Sequence, residues 1–182
     1  MTKVNILIKG YLSSESNGRT CPSIVLVQNE NNNIVIDPGT TKNPKQIVSA
    51  LKKHNLTLKD INLVFLTHCH YDHIRNIAIF PKAKIMDFWA KWDNDKDYPK
   101  TELGKDIKII KTPGHSPDNQ TMLVKTKNGL IAICGDVFWK ENFPKNDSYA
   151  NDKKALEKSR EKILKLADYI IPGHGKMFRV KK

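Results

Sequence analysis

The sequence predicts an α+β fold in which two β-sheets pack face to face between outer layers of helix. Short apolar runs typical of strands are mixed with amphipathic helical stretches in both halves of the chain. In each half, several strands are followed by a helix and then by a strand that ends in histidine. Because a sheet must bury its apolar face against another layer, this order indicates two sheets between helical layers, with the histidine loops meeting at one edge.

Size and composition are those of a globular protein. A chain of 182 residues is long enough for a full hydrophobic core, so one domain spanning residues 1–182 is expected. The apolar run Val4–Leu12 is interrupted by Asn5 and Lys9 and is too short to span a membrane, and no signal-peptide pattern follows it. We therefore expect a cytoplasmic protein without a membrane partner. Three cysteines without C-x-x-C spacing are expected to be reduced there: Cys21, Cys69 and Cys134.

The first half of the chain is predicted to contain four strands and two helices. The first helix begins at Asn43-Pro44, because asparagine is a favoured N-cap and proline fits the first turn. Its buried stripe consists of Ile47, Ala50 and Leu51. The second helix is expected over Asp72–Phe80. The strands are predicted at Asn5–Leu12, Ser23–Gln28, Asn33–Asp37 and Ile61–Leu66.

The second half is predicted to contain five strands and one long helix. A loop of mixed charge is expected over Trp89–Lys105. The helix is predicted over about Asp152–Ala167, with Leu156, Ile163 and Leu166 buried. The strands are predicted at Lys84–Phe88, Asp106–Lys111, Thr121–Lys125, Leu130–Cys134 and Tyr169–Ile171.

A dense group of metal-binding side chains follows the fourth predicted strand. His68, His70, Asp72 and His73 lie within six residues, directly after an apolar run. A loop can turn several side chains toward one point, whereas a strand would send neighbours to opposite faces. Imidazole nitrogens together with a carboxylate oxygen are typical ligands of catalytic zinc and similar divalent ions. An H-x-H pair can arise by chance, but this longer run favours a metal site.

Three further turns add candidate ligands to this group. Thr112-Pro-Gly-His115, Gly135-Asp136 and Pro172-Gly-His174-Gly each follow an apolar run of their own. Strand-end loops that meet at one edge of the sheets would bring their side chains together. The sequence therefore predicts one metal centre with seven candidate ligands: His68, His70, Asp72, His73, His115, Asp136 and His174.

These motifs resemble those of the metallo-β-lactamase-fold hydrolases, and the resemblance extends from Asn5 to the end of the chain. It implies a four-layer αββα sandwich with two metal ions. The first ion would be held by His68, His70 and His115. The second would be held by Asp72, His73 and His174, and Asp136 would bridge both ions. Asp37 matches an aspartate that orients a ligand histidine from behind.

The resemblance also implies the chemistry. Two divalent ions, zinc first with iron or manganese as alternatives, would share a hydroxide that attacks the substrate. Asp72 is the candidate to accept a proton during turnover. No serine or cysteine nucleophile is needed, and Cys69 stands at a position that the motif leaves unligated. The chain is therefore expected to be a binuclear metallo-hydrolase.

Several branches of the superfamily remain as alternatives. The di-iron branch has glutamate where this chain has His70, but a mononuclear-iron branch that oxidises persulfides retains the same histidine motif. The segment Gly135–Asn142 resembles acyl-homoserine lactonases, which have tyrosine where Trp139 stands. A thioester hydrolase like glyoxalase II would need a helical C-terminal domain that does not follow His174 here.

The chain also resembles the branch of metallo-β-lactamase domain-containing protein 1 and its relatives. The similarity rests on short segments spread along the chain, among them Lys9-Gly-Tyr11, Phe80-Pro81, Gly135-Asp-Val-Phe138, Lys158-Ser-Arg160 and Ile171-Pro-Gly-His-Gly175. That branch is linked to ribonuclease activity and to binuclear zinc. The resemblance therefore implies an RNA phosphodiester substrate, with a small ester, thioester or lactone as the alternative.

The formal net charge of +12 has two interpretations. It could attract a polyanion such as single-stranded RNA, or it could reflect a compositional bias toward lysine. Aromatic side chains in the long loops could stack on bases, or could pin those loops to the sheets. The oligomeric state is left open, with a homodimer as one alternative. The expected substrate rim consists of Arg19, Trp89, Trp92 and Trp139.

Overall fold

A computed structural model describes residues 1–181 as two mixed sheets packed face to face, with helices on their outer faces. The helices are α1 (Lys45–Lys52), α2 (Tyr71–Ile74) and α3 (Lys153–Leu166). The first sheet contains β1 (Lys3–Ile8), β2 (Ile24–Gln28), β3 (Asn33–Ile36), β4 (Leu63–Phe65), β5 (Lys84–Met86), β6 (Lys91–Asp93) and β7 (Lys96–Tyr98). The second contains β8 (Ile107–Lys111), β9 (Gln120–Thr126), β10 (Gly129–Ile133), β11 (Tyr169–Ile171) and β12 (Phe178–Arg179). The predicted αββα architecture is confirmed.

Strand direction brings the ligand loops to one edge. The first sheet has the order β1-β2-β3-β4-β5-β6-β7, in which β3, β4 and β5 are parallel. The second has the order β12-β11-β10-β9-β8. There β10 and β11 are parallel, and β8 and β10 both run antiparallel to β9 and hence in the same direction. The loops after β3, β4, β8, β10 and β11 therefore leave the same ends of their sheets and can converge.

Alternation along the strands separates the two faces of each sheet. In β2, Val25 and Val27 pack into the core between the sheets, whereas Ile24 and Leu26 pack toward α1. All four side chains are fully buried. On the other side, α3 packs on the second sheet, with Ile163 fully buried. The three apolar layers are thus those that an αββα sandwich requires.

Several predicted elements are wrong in detail. The predicted loop Trp89–Lys105 contains the β6–β7 hairpin, which extends the first sheet at its edge. The predicted helix Asp72–Phe80 is instead the short α2 followed by a 3₁₀ turn at Ile77–Ile79. Helix periodicity predicted a buried Leu166, but that side chain is 42% exposed and Ala167 is fully buried. The helix ends at Leu166, so the helical period no longer applies there, and the next residue, Ala167, is buried in place of Leu166.

The buried stripe of α1 is confirmed, because Ile47, Ala50 and Leu51 are its buried residues. The N-terminus of α3 is capped by Asp152, whose side chain accepts a hydrogen bond from Ala155 N. Within residues 1–181, no helix has the length and apolar character needed to cross a bilayer.

Candidate metal centre

The segment after β4 changes from extended backbone to helix, and this change brings its metal-binding side chains together. His70 has an extended backbone, and α2 begins directly after it at Tyr71. The first helical turn then brings Asp72 and His73 back toward His68, so that the rings of His68 and His73 lie 4.2 Å apart between centroids. A continuous strand would have placed these neighbours on opposite faces of the sheet.

A first group of three histidines meets at one point. One ligand atom from each of His68, His70 and His115 lies within 4.8 Å of the other two. The closest pair is His115 Nε2 and His70 Nδ1, at 3.0 Å. His115 reaches this point from the turn after β8. This is the set that the family resemblance implied for a first ion.

A second group lies beside the first. One ligand atom from each of Asp72, His73 and His174 lies within 4.8 Å of the other two. The distance from Asp72 Oδ2 is 3.5 Å to His174 Nε2 and 3.9 Å to His73 Nε2. His174 reaches this point from the loop after β11. This set matches the one predicted for a second ion.

Asp136 lies between the two groups. Its Oδ2 is 3.6 Å from His115 Nε2 in the first group. Its Oδ1 is 3.4 Å from His73 Nε2 and 3.3 Å from His174 Nε2 in the second group. The two oxygens of one carboxylate therefore face different groups, which is the geometry expected of a bridging ligand.

Close backbone packing requires glycine beside this carboxylate. A Cβ added to Gly173 would overlap Asp136 Oδ1, and one added to Gly135 would overlap Thr67 Oγ1. Gly135 also has φ +52°, a conformation that side chains disfavour. The glycines of the motifs Gly135-Asp136 and Pro172-Gly-His174 thus let two loops approach each other at the centre.

Protein partners fix the orientation of four of the five histidine rings. In these four, Nδ1 lies within hydrogen-bond distance of an oxygen atom, which leaves Nε2 facing the centre. His70 is the exception, because its own Nδ1 faces the centre. The partners are Thr67 Oγ1 for His68 at 3.1 Å, Asp37 Oδ2 for His73 at 2.9 Å, Asp147 Oδ2 for His115 at 2.7 Å and Cys21 O for His174 at 3.0 Å.

Asp37 lies behind His73. This is the position that the family resemblance implied for an aspartate that orients a ligand histidine. Its Oδ2 accepts hydrogen bonds from His73 Nδ1 and, at 2.6 Å, from Thr67 Oγ1, and its Oδ1 accepts one from Thr67 N at 2.8 Å. The residue has φ +47°, which aspartate tolerates better than most side chains. This backbone conformation directs the carboxylate under the strand end that precedes the histidines.

Two further buried carboxylates accept hydrogen bonds from the histidine loops, and the sequence analysis missed both. Asp147 accepts a hydrogen bond from His115 Nδ1 and is 2% exposed. Asp118 accepts one from Cys69 N at 2.9 Å and one from Ser116 Oγ at 2.5 Å. Both lie on loops, and neither belongs to one of the short ligand motifs identified in the sequence. Only a general search for acidic residues near the histidine turns could have suggested them.

Cys69 lies between two ligand candidates but belongs to neither the first nor the second group within residues 1–181. Partial burial and the carboxylate of Asp118 raise the pKa of its thiol to about 12. The geometry agrees with the expectation that Cys69 is not a ligand.

The protonation of the centre follows from burial and from Asp136. Burial lowers the pKa of His68 well below its ordinary value, and the neighbouring His73 lowers it further. Burial alone would lower the pKa of His73, but the carboxylates of Asp136 and Asp37 raise it well above its ordinary value. Burial alone would raise the pKa of Asp136, but His174 and His73 hold it well below its ordinary value. The centre thus combines a neutral imidazole with an ionised carboxylate.

Buried nitrogen and oxygen atoms without hydrogen-bond partners indicate whether a cation fits at the centre. His68 Nε2, His73 Nε2 and Asp136 Oδ1 are all buried and have no hydrogen-bond partner among residues 1–181. Leaving buried polar atoms unpaired is unfavourable by roughly 1–3 kcal/mol each. A divalent ion would satisfy them, and nitrogen and oxygen donors suit zinc, iron and manganese alike. The residues present therefore fit a metal ion.

Trp139 lies beside the first group of histidines. Its ring centroid is 6.2 Å from that of His115, 5.9 Å from that of Phe143 and 5.7 Å from that of Tyr149. Phe143 is 47% exposed and Tyr149 is 72% exposed. These three rings form one wall next to His115.

The other predicted rim residues occupy different positions. Trp89 is exposed on the turn after β5, and Arg19 is exposed on the loop between β1 and β2. Trp92 lies on β6, and its Nε1 donates a hydrogen bond to Asp87 Oδ2 at 2.9 Å. Within residues 1–181, no hydrogen bond, ion pair or ring contact joins these three side chains to the seven clustered residues.

Comparison with known proteins gives consistent matches. The family model of the metallo-β-lactamase superfamily matches residues 19–107. Metallo-β-lactamase domain-containing protein 1 of Xenopus laevis is 30% identical over 98% of this chain and 82% of its own length. A protein of Methanocaldococcus jannaschii named as a probable metallo-hydrolase is 35% identical over 78% of this chain and 70% of its own length.

Solved structures show the same fold. A metallo-β-lactamase candidate from Thermotoga maritima has a TM-score of 0.76 at 18% identity and covers 98% of this chain and 99% of its own. AidC, a dizinc quorum-quenching lactonase in complex with the product N-hexanoyl-L-homoserine, has a TM-score of 0.64 at 21% identity. That match covers 83% of this chain and 71% of AidC.

Proposed function

This chain is a metallo-hydrolase of the metallo-β-lactamase superfamily, and we propose that it acts through a two-ion centre on RNA phosphodiesters. The observation that supports the two-ion centre best is the position of Asp136. Its two oxygens face two separate ligand groups, and Oδ1 is buried without a hydrogen-bond partner in the described part of the chain.

The proposed ligands divide into two sets that share Asp136. The first ion would contact Nε2 of His68 and His115 and Nδ1 of His70. The second would contact Asp72 together with Nε2 of His73 and His174. Zinc is our first choice, since the similar structure of AidC is dizinc, and iron or manganese would also suit these donors. When bound, two such ions polarise the substrate and lower the pKa of water.

The exposure of the ligand side chains indicates the side from which substrate and water approach the centre. The side chain of Asp72 is 23% exposed, whereas that of Asp136 is 8% exposed and that of His73 is fully buried. The centre is therefore open on the side of Asp72. We propose Asp72 as the group that accepts a proton during turnover, because it is the more accessible of the two acidic ligand candidates.

Two features favour RNA as the substrate. The formal net charge of +12 attracts polyanions. The exposed aromatic side chains within residues 1–181 lie on α2, on the loop after β10, and in the segment from the end of β5 into β6: Tyr71, Trp89, Trp92, Phe143 and Tyr149. Exposed rings combined with positive charge are typical of surfaces that bind single-stranded nucleic acid.

A small ester, thioester or lactone is the second candidate. The observation that favours it is the wall formed by Trp139, Phe143 and Tyr149 beside His115, which could contact an apolar acyl group. Similar structures include lactonases with acyl-homoserine products bound. Binding of such a substrate would depend on apolar contacts and on the metal ions and only weakly on salt.

Hydrolysis of single-stranded RNA and of a panel of thioesters and lactones, measured at roughly 50 and 200 mM salt, distinguishes the candidates. We expect RNA cleavage that needs metal, falls steeply with salt and is lost in His115→Ala. Fast thioester or lactone hydrolysis beside intact RNA would contradict the RNA proposal. Native iron with oxygen uptake on glutathione persulfide would identify a persulfide dioxygenase instead.

A further inference from the structure

Two lysines and two aromatic rings form a patch on the surface near the first group of histidines. Lys111 Nζ lies 4.8 Å from the centre of the Phe88 ring, and Lys100 Nζ lies 5.6 Å from it. The ring of Trp89 is 5.6 Å from that of Phe88 and is 63% exposed. We refer to Phe88, Trp89, Lys100 and Lys111 as the Trp89 patch.

Hydrogen bonds hold the backbone of the Trp89 patch in place. Asp87 Oδ1 accepts hydrogen bonds from Trp89 N and Ala90 N, both at 2.8 Å. Lys100 Nζ donates to Asp87 O at 3.0 Å and to Phe88 O at 2.7 Å. The indole of Trp89 thus projects from a fixed turn, and presenting it requires little ordering on binding.

The patch adjoins the metal centre through short connections. Lys100 Nζ donates to Gln120 Oε1 at 2.9 Å, and Gln120 N donates to Thr67 O at 2.8 Å, directly before His68. Lys111 is the last residue of β8, and the turn that follows it ends at His115. A chain bound on the patch would therefore lead toward the first group of ligands.

The lysines of the patch have no ion-pair partner among residues 1–181. Asp87 is the nearby carboxylate, and its Oδ2 is already bonded to Trp92 Nε1 while its Oδ1 is bonded to the turn. Lys111 is exposed, so its ammonium group remains available to a phosphate. An exposed indole and an available ammonium group that share Phe88 as a neighbour match the two chemical parts of a nucleotide.

We propose that the Trp89 patch binds a single strand of nucleic acid on its way to the metal centre. In this arrangement one base stacks on Trp89, and Lys111 contacts a phosphate close to the scissile one. The proposal rests on the proposed function, since it assumes that the substrate of the same centre is a phosphodiester chain. A small acyl substrate would gain nothing from an exposed cationic surface.

Binding can be measured without cleavage in an Asp136→Asn protein. A labelled single-stranded RNA and a DNA of the same sequence are titrated between roughly 50 and 200 mM salt. Each phosphate contact to a single strand contributes about 0.7 to the slope of log K against log salt. We expect Lys111→Gln to reduce this slope by about 0.7, and Trp89→Leu to weaken binding roughly ten-fold with the slope unchanged.

Lys125→Gln is the matched control for charge. Lys125 is exposed on β9 at the opposite end of the sandwich, where it pairs with Leu130, whereas Gln120 pairs with Lys111 at the metal end. We expect it to leave the slope unchanged. Equal effects of Lys125→Gln and Lys111→Gln would overturn the proposal in favour of diffuse attraction. Binding of either strand that depends on Lys111 would support the proposal. Equal binding of RNA and DNA would indicate recognition through bases and phosphates, and tighter binding of RNA would indicate additional contacts to the ribose.

Failure of this proposal and failure of the proposed function give different results. Metal-dependent RNA cleavage with an unaltered salt slope in Lys111→Gln would refute the patch and leave the function standing. Specific strand binding through Lys111, with no cleavage by the metal-loaded wild-type protein, would refute the function and leave the patch standing. No binding and no cleavage of either strand by the metal-loaded wild-type protein would refute both.

Discussion

Replacement of Asp147 by asparagine tests whether a buried carboxylate supports the metal centre through His115. Asp147 Oδ2 accepts a hydrogen bond from His115 Nδ1 at 2.7 Å, and Oδ1 accepts one from Tyr149 N at 2.8 Å. Asparagine has one acceptor and one donor at these positions, so one of the two N–H groups would face an NH₂ group. The imidazole would then lose its preferred orientation or its preferred tautomer.

The magnitude follows from the kind of bond that is lost. A buried hydrogen bond to a charged group contributes about 1.5–3 kcal/mol to stability. Loss of a partner that orients a metal ligand lowers metal affinity or activity by roughly 10- to 100-fold. For Asp147→Asn we therefore expect zinc affinity, measured by competition with a chelator, to fall by that factor. The free energy of unfolding in urea should fall by about 1.5–3 kcal/mol.

Asp118→Asn is the matched control. Asp118 is also a buried carboxylate with two hydrogen-bond donors, Cys69 N and Ser116 Oγ, but within residues 1–181 it accepts no hydrogen bond from a ligand histidine. Its replacement should lower the free energy of unfolding by a similar amount and leave zinc affinity much closer to that of the wild type. Unchanged zinc affinity in Asp147→Asn, or an equal loss in Asp118→Asn, would refute the positioning role of Asp147.

Three further predictions concern the centre and the core. Asp136→Ala removes the only carboxylate that faces both ligand groups within residues 1–181, so turnover should fall by at least about 100-fold while the far-UV circular dichroism stays native; near-normal turnover would contradict the two-ion centre. Gly173→Ala should abolish metal uptake in elemental analysis because its Cβ overlaps Asp136 Oδ1, whereas Gly175→Ala, whose Cβ would meet the flexible Lys140 side chain at 3.2 Å, should retain metal. Ile163→Ala should lower the free energy of unfolding in urea by about 2–5 kcal/mol because this side chain is fully buried. The matched change Leu166→Ala should have a much smaller effect because that side chain is 42% exposed, and equal losses would show that the outer face of α3 is covered.

The sequence by itself determined the architecture and the composition of the candidate centre. Period-2 and helical patterns are local properties, so they predicted most strands and the buried stripe of α1. The ligand candidates could be found because each one follows an apolar strand in a short motif. The carboxyl ends of parallel strands meet at one edge, so proximity of these motifs in space followed from the fold class.

Only the tertiary structure decided how the centre is supported and bounded. Asp147 and Asp118 reach the histidine loops from segments whose sequence separation from their partners is set by loop paths, and no local pattern encodes such a path. The same holds for the β6–β7 hairpin, whose strands of three residues are too short to show a period. Leu166 shows the limit of helical periodicity, because the point at which a helix ends is decided by what the next residue can bury. Local patterns depend on neighbours in sequence, whereas these contacts depend on neighbours in space.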